Sequence, residues 1–294
     1  MILVFGSINI DLLVPVPRLP GPGETVLGGD YALLPGGKGA NQALAARRAG
    51  SQVVLAGAVG RDGFAGLALE TLRRDGVDTS LVRTVEQPTG CAAIMVSQTA
   101  ENLIAVAPGA NARAQSGQVP DALLGAGTVL VAQMEVPPAE TAALIRRVRA
   151  AGGRSLLNLA PALPIDPALL GEIDVLVTNE VEAAGLGADS VGPAAELRQG
   201  LVVTRGAAGA SAFLANGVRL DIPALPIDPV DTTGAGDTFV GALAAALDRG
   251  LALDLALRQA SAAAGLSCLG RGAQTAMPDR AAIEAAAARL PSQP

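Results

Sequence analysis

Residues 230–243 combine a glycine-rich turn, carboxylates and the start of an apolar helix, and these features together suit phosphate chemistry. The stretch reads Val-Asp-Thr-Thr-Gly-Ala-Gly-Asp-Thr-Phe-Val-Gly-Ala-Leu. A helix that begins at such a turn presents unpaired backbone N–H groups and the positive end of its dipole, which attract a phosphate group. Asp237 lies at this anion site, where its carboxylate can accept a proton from an attacking hydroxyl. We interpret the stretch as a catalytic centre, with the alternative that Asp237 is only the cap of a helix.

The composition restricts which side chains can transfer protons. The 294 residues include no histidine, so Ser–His–Asp triads, Cys–His pairs and HExxH zinc sites are excluded, and carboxylates must transfer the protons. Lys38 is the single lysine among 21 basic residues. Such a bias towards arginine indicates that a compact ammonium group is needed at position 38, with chance placement as the alternative.

Residues 36–42 form a second glycine-rich entry into a helix, and Lys38 lies within it. The sequence Gly-Gly-Lys-Gly-Ala-Asn-Gln leads into an alanine-rich helical run. It is not a Walker A loop, because glycine follows the lysine where serine or threonine should stand. Lys38 and Asn41 instead offer donors for hydroxyl or carboxylate groups, unless the motif is only a tight helix start without a ligand.

The overall composition argues against several classes of partner. The net charge of −6 and the aromatic content of 2% leave neither a basic surface nor stacking platforms for nucleic acid. No charged segment followed by an apolar run opens the chain, and no uncharged run reaches the roughly 18 residues of a membrane span. Cys91 and Cys268 fit no metal or redox spacing, which favours a reducing compartment. We expect a cytoplasmic protein with no nucleic-acid or membrane partner.

A buried strand is predicted at residues 2–5, Ile-Leu-Val-Phe, as is typical of a parallel sheet. Asn9 and Asp11 follow it, and residues at the carboxyl end of such a strand face a binding crevice. A dinucleotide-binding fold would have G-x-G-x-x-G here, but only Gly6 is present. A dehydrogenase is therefore disfavoured.

Later segments continue an alternation of strands and helices. Apolar runs predict further strands at 53–55, 128–131, 155–157, 175–177 and 201–203. We expect one α/β domain over residues 1–294, with a mainly parallel central sheet flanked by helices. Polar residues that follow these strands should meet at one edge of the sheet. They are Glu135, Asn179 with Glu182, and the loop Thr204-Arg205-Gly206-Ala207-Ala208-Gly209.

Two segments break this alternation. Residues 12–34 contain four prolines and are interpreted as extended segments rather than a helix. Residues 90–106 are typical of a β-hairpin, in which the polar turn 98–101 joins two short strand-like runs. We expect the segments 12–34 and 90–106 to form together a small β-sheet lid.

The combination of these motifs resembles the ribokinase branch of the PfkB carbohydrate-kinase family, over nearly the whole chain. Residues 231–239, Asp-Thr-Thr-Gly-Ala-Gly-Asp-Thr-Phe, are similar to a highly specific signature of the family, and residues 36–43 to its other signature. Smaller similarities lie at 6–11, 22–25, 109–111 and 179–182. The resemblance implies a ribokinase-like α/β fold whose β-sheet lid often serves as a dimer interface, so we expect a homodimer.

The resemblance also implies roles for individual residues. Asp237 would deprotonate the primary hydroxyl of a sugar, with the backbone N–H groups of Gly234, Ala235 and Gly236 as an anion hole. The sugar hydroxyls would be held by Asn9, Asp11, Gly37, Lys38, Gly39, Asn41 and Glu135.

For the nucleotide, the resemblance implies that ATP contacts Asn179, Gly236 and the loop residues Thr204, Arg205, Gly206 and Gly209. Glu182 would help to organise Mg²⁺ and its waters. A potassium ion beside the anion hole would be held by Asp231, Thr233, Ser267, Gly270 and Gly272. The sequence departs from the family at Ala276, where a hydroxyl ligand is usual, so that ligand would have to come from water or Thr275. Ser261 also replaces a histidine often found near adenine.

The function we expect is ATP-dependent phosphorylation of D-ribose to D-ribose 5-phosphate, by in-line transfer with Mg²⁺. Fructose, 2-keto-3-deoxygluconate and nucleosides are alternative substrates within the family. A nucleoside is the least favoured, because the lid segments contain a single aromatic residue, Tyr31. The alternative from another class is a catalytically silent sugar- or nucleotide-binding protein on the same fold.

Overall fold

The strand β1 (Ile2–Phe5) lies at the centre of the fold. In the computed structural model, which describes residues 1–99, 101–186 and 192–291, all four of its side chains are buried. Ile2 and Val4 pack among helix residues on one face of a sheet, and Leu3 and Phe5 do so on the opposite face. Because both faces are covered, the strand is apolar throughout, as predicted.

The strands of the described residues form a larger and a smaller sheet. After β1 they are β2 (Asn9–Val16), β3 (Ala32–Gly36), β4 (Val53–Gly60), β5 (Asp78–Val85), β6 (Gly90–Ser97), β7 (Asn102–Ala107), β8 (Val129–Ala132), β9 (Arg154–Asn158), β10 (Val175–Asn179), β11 (Gly200–Thr204), β12 (Ala210–Leu214) and β13 (Arg219–Ile222). The larger sheet has the order β13-β12-β11-β10-β9-β8-β1-β4-β5. Strands β5, β4, β1, β8, β9, β10 and β11 are parallel to one another, whereas β12 and β13 join antiparallel at one edge. The expected mainly parallel central sheet is confirmed.

Helices cover both faces of the larger sheet. They are α1 (Lys38–Arg48), α2 (Gly63–Arg74), α3 (Pro138–Ala150), α4 (Pro167–Leu170), α5 (Glu180–Gly185), α6 (Gly192–Glu196), α7 (Ala235–Asp248), α8 (Leu253–Ser267) and α9 (Arg280–Ala287). Apolar residues of α1, α2, α7, α8 and α9 share a core with Ile2 and Val4. Those of α3 to α6 share a core with Leu3 and Phe5. Within the described ranges, no helix is both long enough and apolar enough to cross a membrane.

The smaller sheet has the order β3-β2-β6-β7 and is built from the two segments that break the strand–helix alternation. Strands β6 and β7 pair antiparallel, so the predicted hairpin is present, although Ala100 of its turn lies outside the described residues. Strand β2 pairs with β6 in parallel and with β3 antiparallel. Between β2 and β3, residues 17–31 form neither helix nor strand.

Three strands of the larger sheet are not among the strands that the sequence patterns predict: the edge strands β5 and β13, and β12, which lies next to β13. Strand β5 mixes polar and apolar residues because most of its side chains are partly or fully exposed at the sheet edge. Strands β12 and β13 form a hairpin around Asn216-Gly217, with Gly217 at φ 84°. An Asn-Gly pair between strand-like runs is a strong hairpin signal and could have predicted both strands.

The order of the larger sheet reverses at β1, because β4 and β5 lie on one side of it and β8 to β11 on the other. In open α/β sheets, ligands bind in the crevice beyond the carboxyl ends of the strands at such a reversal. The loops that follow β1, β8, β9, β10 and β11 therefore surround one crevice.

Candidate active site

Two helices begin at this crevice, each after a glycine with positive φ. Helix α1 follows Gly37 (φ 89°) and helix α7 follows Gly234 (φ 75°). Glycine adopts such φ values without the steric cost that a Cβ atom would add. The helices also approach closely, because a Cβ atom on Gly241 of α7 would lie 2.6 Å from Cβ of Ala45 in α1. The positive ends of both helix dipoles therefore lie near each other.

Asp237 occupies the first turn of α7 and is 8% exposed. Its Oδ2 accepts a hydrogen bond from Asn41 Nδ2, and its Oδ1 accepts one from Gln42 Nε2, each at 2.9 Å. The alternative that Asp237 is the helix cap is wrong, because the N-cap is Gly234 and the Asp237 side chain is bound by α1. Both carboxylate oxygens are thus held in place by neutral donors.

The turn before α7 offers backbone donors to an anion. In this structure the Ala235 N–H donates to the Thr232 carbonyl at 3.2 Å. The N–H groups of Gly236 and Asp237 belong to the first turn of α7, where N–H groups have no partner within the helix. Gly236 and Asp237 also line a polar cavity, so their N–H groups are available to a ligand there, whereas the Ala235 N–H is engaged.

Asp11, Glu135 and Lys38 form a charged cluster beside Asp237. Oε2 of Glu135 accepts hydrogen bonds from Ser7 Oγ at 2.5 Å and from the Lys38 backbone N–H at 3.4 Å. Burial, followed by the charges of Glu135 and Asp237, raises the pKa of Asp11 to about 6. Burial alone would lower the pKa of Lys38, but the surrounding carboxylates, chiefly Asp237 and Glu135, raise it above its ordinary value. The cluster therefore combines a permanently charged ammonium with several acceptors for hydroxyl groups.

Asn9 is held by Asn111, to which the sequence analysis gave no role. Asn111 Nδ2 donates to Asn9 Oδ1 at 2.7 Å, and Asn111 Oδ1 accepts from the Ile8 N–H at 2.8 Å. With its oxygen engaged, the Asn9 amide has its NH₂ group left to offer a ligand. Gly90 makes room for the pair, because a Cβ atom there would overlap Oδ1 of Asn9.

A polar cavity of about 160 Å³ extends from Asp237 and Lys38 towards the ends of β9, β10 and β11. Asn179 and Glu182 form part of its wall and cap helix α5 reciprocally. The Glu182 N–H donates to Asn179 Oδ1, and the Asn179 N–H donates to Glu182 Oε2, each at 2.8 Å. These two hydrogen bonds therefore fix both side chains at the rim of the polar cavity.

Asn158 also lines the polar cavity, at the end of β9. Asn158 was not predicted, although its place directly after the predicted strand 155–157 was a usable signal. Thr204 lies at the end of β11 on the same wall, and its Oγ1 donates to the Thr178 carbonyl at 3.2 Å. The ends of three adjacent strands thus contribute side chains to one cavity.

A larger, mainly apolar cavity of about 390 Å³ adjoins the polar one and shares Thr204 and Gly236 with it. Gly206 and Gly209 line this cavity. Arg205 belongs to the same loop, and its Nε lies 3.7 Å from Oε1 of Glu180. Other lining residues are Ala207, Ala224, Leu225, Pro226, Ile227, Pro229, Thr232, Ala235, Phe239, Ser261, Ala264, Gly265 and Cys268. The two cavities together fit a flat, weakly polar group joined to a chain of anions.

Two loops, 231–233 and 270–272, meet beside the start of α7. Asp231 joins them, because its Oδ2 accepts from the Gly272 N–H at 2.8 Å and its Oδ1 accepts from the Thr233 N–H at 2.9 Å. Burial would raise the pKa of Asp231, but these hydrogen bonds outweigh burial and lower it. The junction is therefore rich in oxygen atoms and carries a stable negative charge.

The other residues expected at a cation site also lie near this junction. Ser267 ends α8, and its Oγ donates to the Ala264 carbonyl at 2.8 Å. Ala276 packs against Gly270, where a Cβ atom would lie 2.9 Å from the Ala276 Cβ. Thr275 Oγ1 donates to the carbonyls of Arg271 and Gly272, so its hydroxyl is hydrogen-bonded to residues of its own loop.

Comparison with known proteins agrees with the motifs. Residues 1–280 match the model of the pfkB family carbohydrate kinases. The chain is 37% identical over 287 residues to the ribokinase of Bacillus subtilis, covering 96% of this chain and 98% of that protein. Its structure resembles the ribokinase of Thermotoga maritima, with a TM-score of 0.89, 32% identity, and coverage of 97% of this chain and 98% of that chain. It also resembles Arabidopsis thaliana ribokinase complexed with ribose and ATP, with a TM-score of 0.88, 30% identity and the same coverage.

Proposed function

The chain belongs to the pfkB family of carbohydrate kinases, and from this premise we propose that it transfers the γ-phosphoryl group of ATP to D-ribose. The products are ADP and D-ribose 5-phosphate. The family match and several ribokinases more than 30% identical over nearly the full chain support the proposal. The observation that carries it is the position of the buried Asp237 carboxylate, between the charged cluster and the polar cavity.

The sugar would bind between β2 and the first turn of α1. Asp11 and Glu135 can accept hydrogen bonds from its hydroxyl groups, while Asn9 and Lys38 can donate them. Asn41 uses one N–H for Asp237 and retains a second. Gly37 and Gly39 allow the start of α1 to pack against the backbone of residues 6–9, because a Cβ atom at either position would lie 3.0 Å or less from that backbone. Their N–H groups would then border the sugar.

In the transfer step, the primary hydroxyl of the sugar would attack the γ-phosphorus in line with the leaving oxygen of ADP. The hydroxyl proton passes to the Asp237 carboxylate, the new O–P bond forms, and the bond to the ADP oxygen breaks. The N–H groups of Gly236 and Asp237, together with Lys38, would stabilise the negative charge of the transferred group. Asp237 finally returns its proton to solvent.

The nucleotide would occupy both cavities. Its phosphates fit the polar cavity, where Lys38, Asn179 and Thr204 provide polar atoms. Its adenine fits the apolar cavity, whose walls can pack on the faces of a flat ring. Ser261 Oγ donates to the Pro223 carbonyl at 2.7 Å, so this hydroxyl would contribute packing rather than a donor to the base.

Mg²⁺ would enter with the nucleotide. Over the residues that the structure describes, no group of three or more His, Cys, Asp or Glu side chains could hold a metal ion by itself. This fits Mg²⁺ at a nucleotide, which is commonly bound by phosphate oxygens, waters and one or two carboxylates. Glu182 faces the polar cavity and could hold the waters of the ion. When bound, the ion neutralises phosphate charge.

A potassium ion would be held where the loops 231–233 and 270–272 meet. The lowered pKa of Asp231 keeps its carboxylate charged, and backbone carbonyls lie nearby. Hard cations prefer oxygen ligands of this kind. The proposed ligands are Asp231, Thr233, Ser267, Gly270 and Gly272. Water or the Thr275 oxygen would take the place of the hydroxyl that Ala276 lacks. When bound, the ion adds positive charge beside the N-terminus of α7.

A coupled ADP-release assay tests the substrate and both ions. With ATP, Mg²⁺ and a panel of sugars, we expect turnover to be highest with D-ribose, to require Mg²⁺ and to rise when K⁺ replaces a large organic cation. Selective turnover of fructose or 2-keto-3-deoxygluconate would show that this sugar is the substrate and would leave the proposed mechanism unchanged. A rate that K⁺ does not change would contradict the proposed potassium site. No ADP release with any sugar would favour the alternative of a binding protein.

The Asp11→Asn substitution is expected to stabilise the sugar-free protein at neutral pH and to weaken sugar binding. Because folding raises the pKa of Asp11 from 3.8 to about 6, its contribution to stability is full below pH 3.8 and is lost as the pH rises through about 6. Two pKa units correspond to roughly 3 kcal/mol. By calorimetry, the Tm of the variant should exceed that of the wild type at about pH 8, and the gap should close near pH 4.

Asp254→Asn is the matched control, because Asp254 is exposed in α8, outside the lid segments, and its substitution removes the same charge. It should leave the Tm difference flat across the pH range. A ribose titration of both variants should show weaker binding only for Asp11→Asn. Equal pH profiles for the two variants would contradict the assigned environment of Asp11.

The segments 12–34 and 90–106 would act as a lid over the sugar and as the dimer interface. Large apolar side chains of the smaller sheet are exposed, including Leu103 at 44% and Ile104 and Val106 at 53% each. Strand β7 is also one of the two edges of that sheet, and such edges tend to pair with another chain. Analytical ultracentrifugation should show a homodimer that Ile104→Glu dissociates, and a monomeric wild type would rule this out.

We also propose a cytoplasmic location, where disulfides are rare. Cys91 and Cys268 are both free thiols. Fractionation of source cells, followed by detection of the protein, tests this location. Recovery outside the cytoplasmic fraction would overturn it.

A further inference from the structure

The two side chains that hold Asp237 are themselves held by two further glutamines. Gln133 Nε2 donates to Gln42 Oε1 at 2.6 Å, and Gln274 Nε2 donates to Asn41 Oδ1 at 3.0 Å. All four amide residues are buried, with exposures of 0% to 6%. Each carboxylate oxygen of Asp237 is thus the end of a chain of two amides.

Each chain fixes which end of its inner amide faces the carboxylate. An amide side chain can present either its oxygen or its NH₂ group, and only the NH₂ group can donate to a carboxylate. Because Gln133 donates to Oε1 of Gln42, the remaining end of Gln42 is Nε2, which meets Asp237. The opposite orientation would place an amide oxygen against a carboxylate oxygen in a buried site, where unpaired acceptors are costly.

The outer glutamines are held by their own surroundings. Gly6 makes room for Gln133, because a Cβ atom on Gly6 would overlap Oε1 of Gln133. Arg48 Nη1 donates to the backbone carbonyls of Gln274 at 2.6 Å and of Met277 at 3.2 Å. The ends of the two amide chains are therefore anchored to β8 and to the loop before α9.

Within the part of the chain that the structure describes, the outer glutamines use only their donor ends. Oε1 of Gln133 and Oε1 of Gln274 are buried and have no hydrogen-bond partner among the described residues. An apolar residue of similar volume would fill the same space without burying such an acceptor. The donor end of each glutamine is the part that the site uses.

We propose that Gln133 and Gln274 are positioning residues for phosphoryl transfer, which act through Gln42 and Asn41 to hold the Asp237 carboxylate in the orientation that meets the acceptor hydroxyl. The inference rests on the proposed function, in which Asp237 accepts the hydroxyl proton. Proton transfer depends on the geometry of donor and acceptor, so a carboxylate that turns freely is a poorer base although it still binds substrate.

The substitution Gln133→Glu tests the series of hydrogen bonds from Gln133 through Gln42 to Asp237, which we call the relay. Its effect depends on whether the new carboxyl group is protonated. The new carboxyl group has the shape of glutamine and, when protonated, its O–H can donate to Gln42 Oε1. When ionised it only accepts, so it attracts Gln42 Nε2 and turns Gln42 Oε1 towards Asp237. Relative to wild type, kcat should fall roughly 10- to 100-fold as the pH rises from about 6 to about 9, with KM for the sugar within about threefold.

Two comparison variants separate orientation from packing and from charge. Gln133→Met fills the same space without a donor, so it should lower kcat by a smaller factor that does not vary with pH. Gln52→Glu adds the same charge at an exposed glutamine and should leave kcat unchanged at every pH. If Gln133→Glu does not fold, Gln274→Glu applies the same test to the other carboxylate oxygen.

A flat ratio of kcat to wild type across the pH range, for Gln133→Glu or for its substitute Gln274→Glu, would overturn the relay. A Gln133→Met enzyme with the wild-type kcat would also overturn it, because Gln42 would then keep its orientation without the donor of Gln133. The wild-type rate with ribose tests the proposed substrate separately. The ratios are measured with whichever sugar the wild type phosphorylates, so the relay and the substrate can fail independently.

Discussion

Asp237→Asn is expected to lower kcat by roughly 10²- to 10⁴-fold, the range that a positioned general base contributes. The substitution removes the proton acceptor while keeping the size of the side chain. Asp237 now accepts from both Asn41 and Gln42, and asparagine has only one oxygen, so one of these donors will face an NH₂ group. Ribose affinity, measured by isothermal titration calorimetry, should nevertheless stay within several-fold of wild type, because other residues hold the remaining hydroxyls.

Asp254→Asn is the matched control for this loss of charge. Asp254 lies exposed in the first turn of α8, as Asp237 lies buried in the first turn of α7. Its substitution should leave kcat unchanged. A near-normal rate for Asp237→Asn in a single-turnover experiment would remove Asp237 as the base, and the proton would then have to leave by way of solvent.

Gly234→Ala is expected to lower kcat by roughly 10²- to 10³-fold, comparable to the loss of an oxyanion-hole donor. Gly234 has φ 75°, and a Cβ atom there would lie 2.7 Å from Cβ and 2.9 Å from Cα of Ala273. Alanine must therefore move the turn away from Ala273. The N–H groups of Gly236 and Asp237 would move with it and no longer meet the transferred phosphoryl group. Steady-state kinetics with ATP and ribose measure this effect.

Gly66→Ala provides the comparison, because Gly66 lies inside α2 and no heavy atom outside its own helix and neighbouring residues lies within 4 Å of an added Cβ atom. It should leave kcat unchanged and raise the Tm slightly, since alanine reduces the entropy of the unfolded chain. A Gly234→Ala protein with a normal melting curve and normal kcat would show that the turn before α7 tolerates displacement. That result would argue against an anion hole at this position.

Local sequence patterns predicted the elements whose apolar spacing is unambiguous. The buried strand 2–5, the helix that starts after Gly234 and the hairpin at 90–106 all occur in the structure. Edge strands such as β5 were missed because an exposed strand has no continuous apolar run to mark it. The hairpin of β12 and β13 had a signal in Asn216-Gly217 that was not used.

The candidate site divides in the same way. The sequence placed Asp237, Lys38 and Asn179 at helix starts and strand ends, where the structure lines one cavity with all three. Their assigned roles stay proposals. Gln133 and Gln274 were not predicted, because their partners Gln42 and Asn41 lie 91 and 233 positions away in the sequence. No local pattern marks an amide whose partner is so distant.

The residue types and their spacing were sufficient to predict the type of chemistry. A chain without histidine, with its one lysine and its key carboxylate at glycine-rich helix starts, can transfer a phosphoryl group by carboxylate base and backbone donors. The orientation of Asp237 could not be predicted, because both of its donors come from α1. It depends on the close approach of α1 and α7 at Gly241, and Asn41 and Asp237 lie 196 positions apart in the sequence, so only packing of the whole chain brings them together.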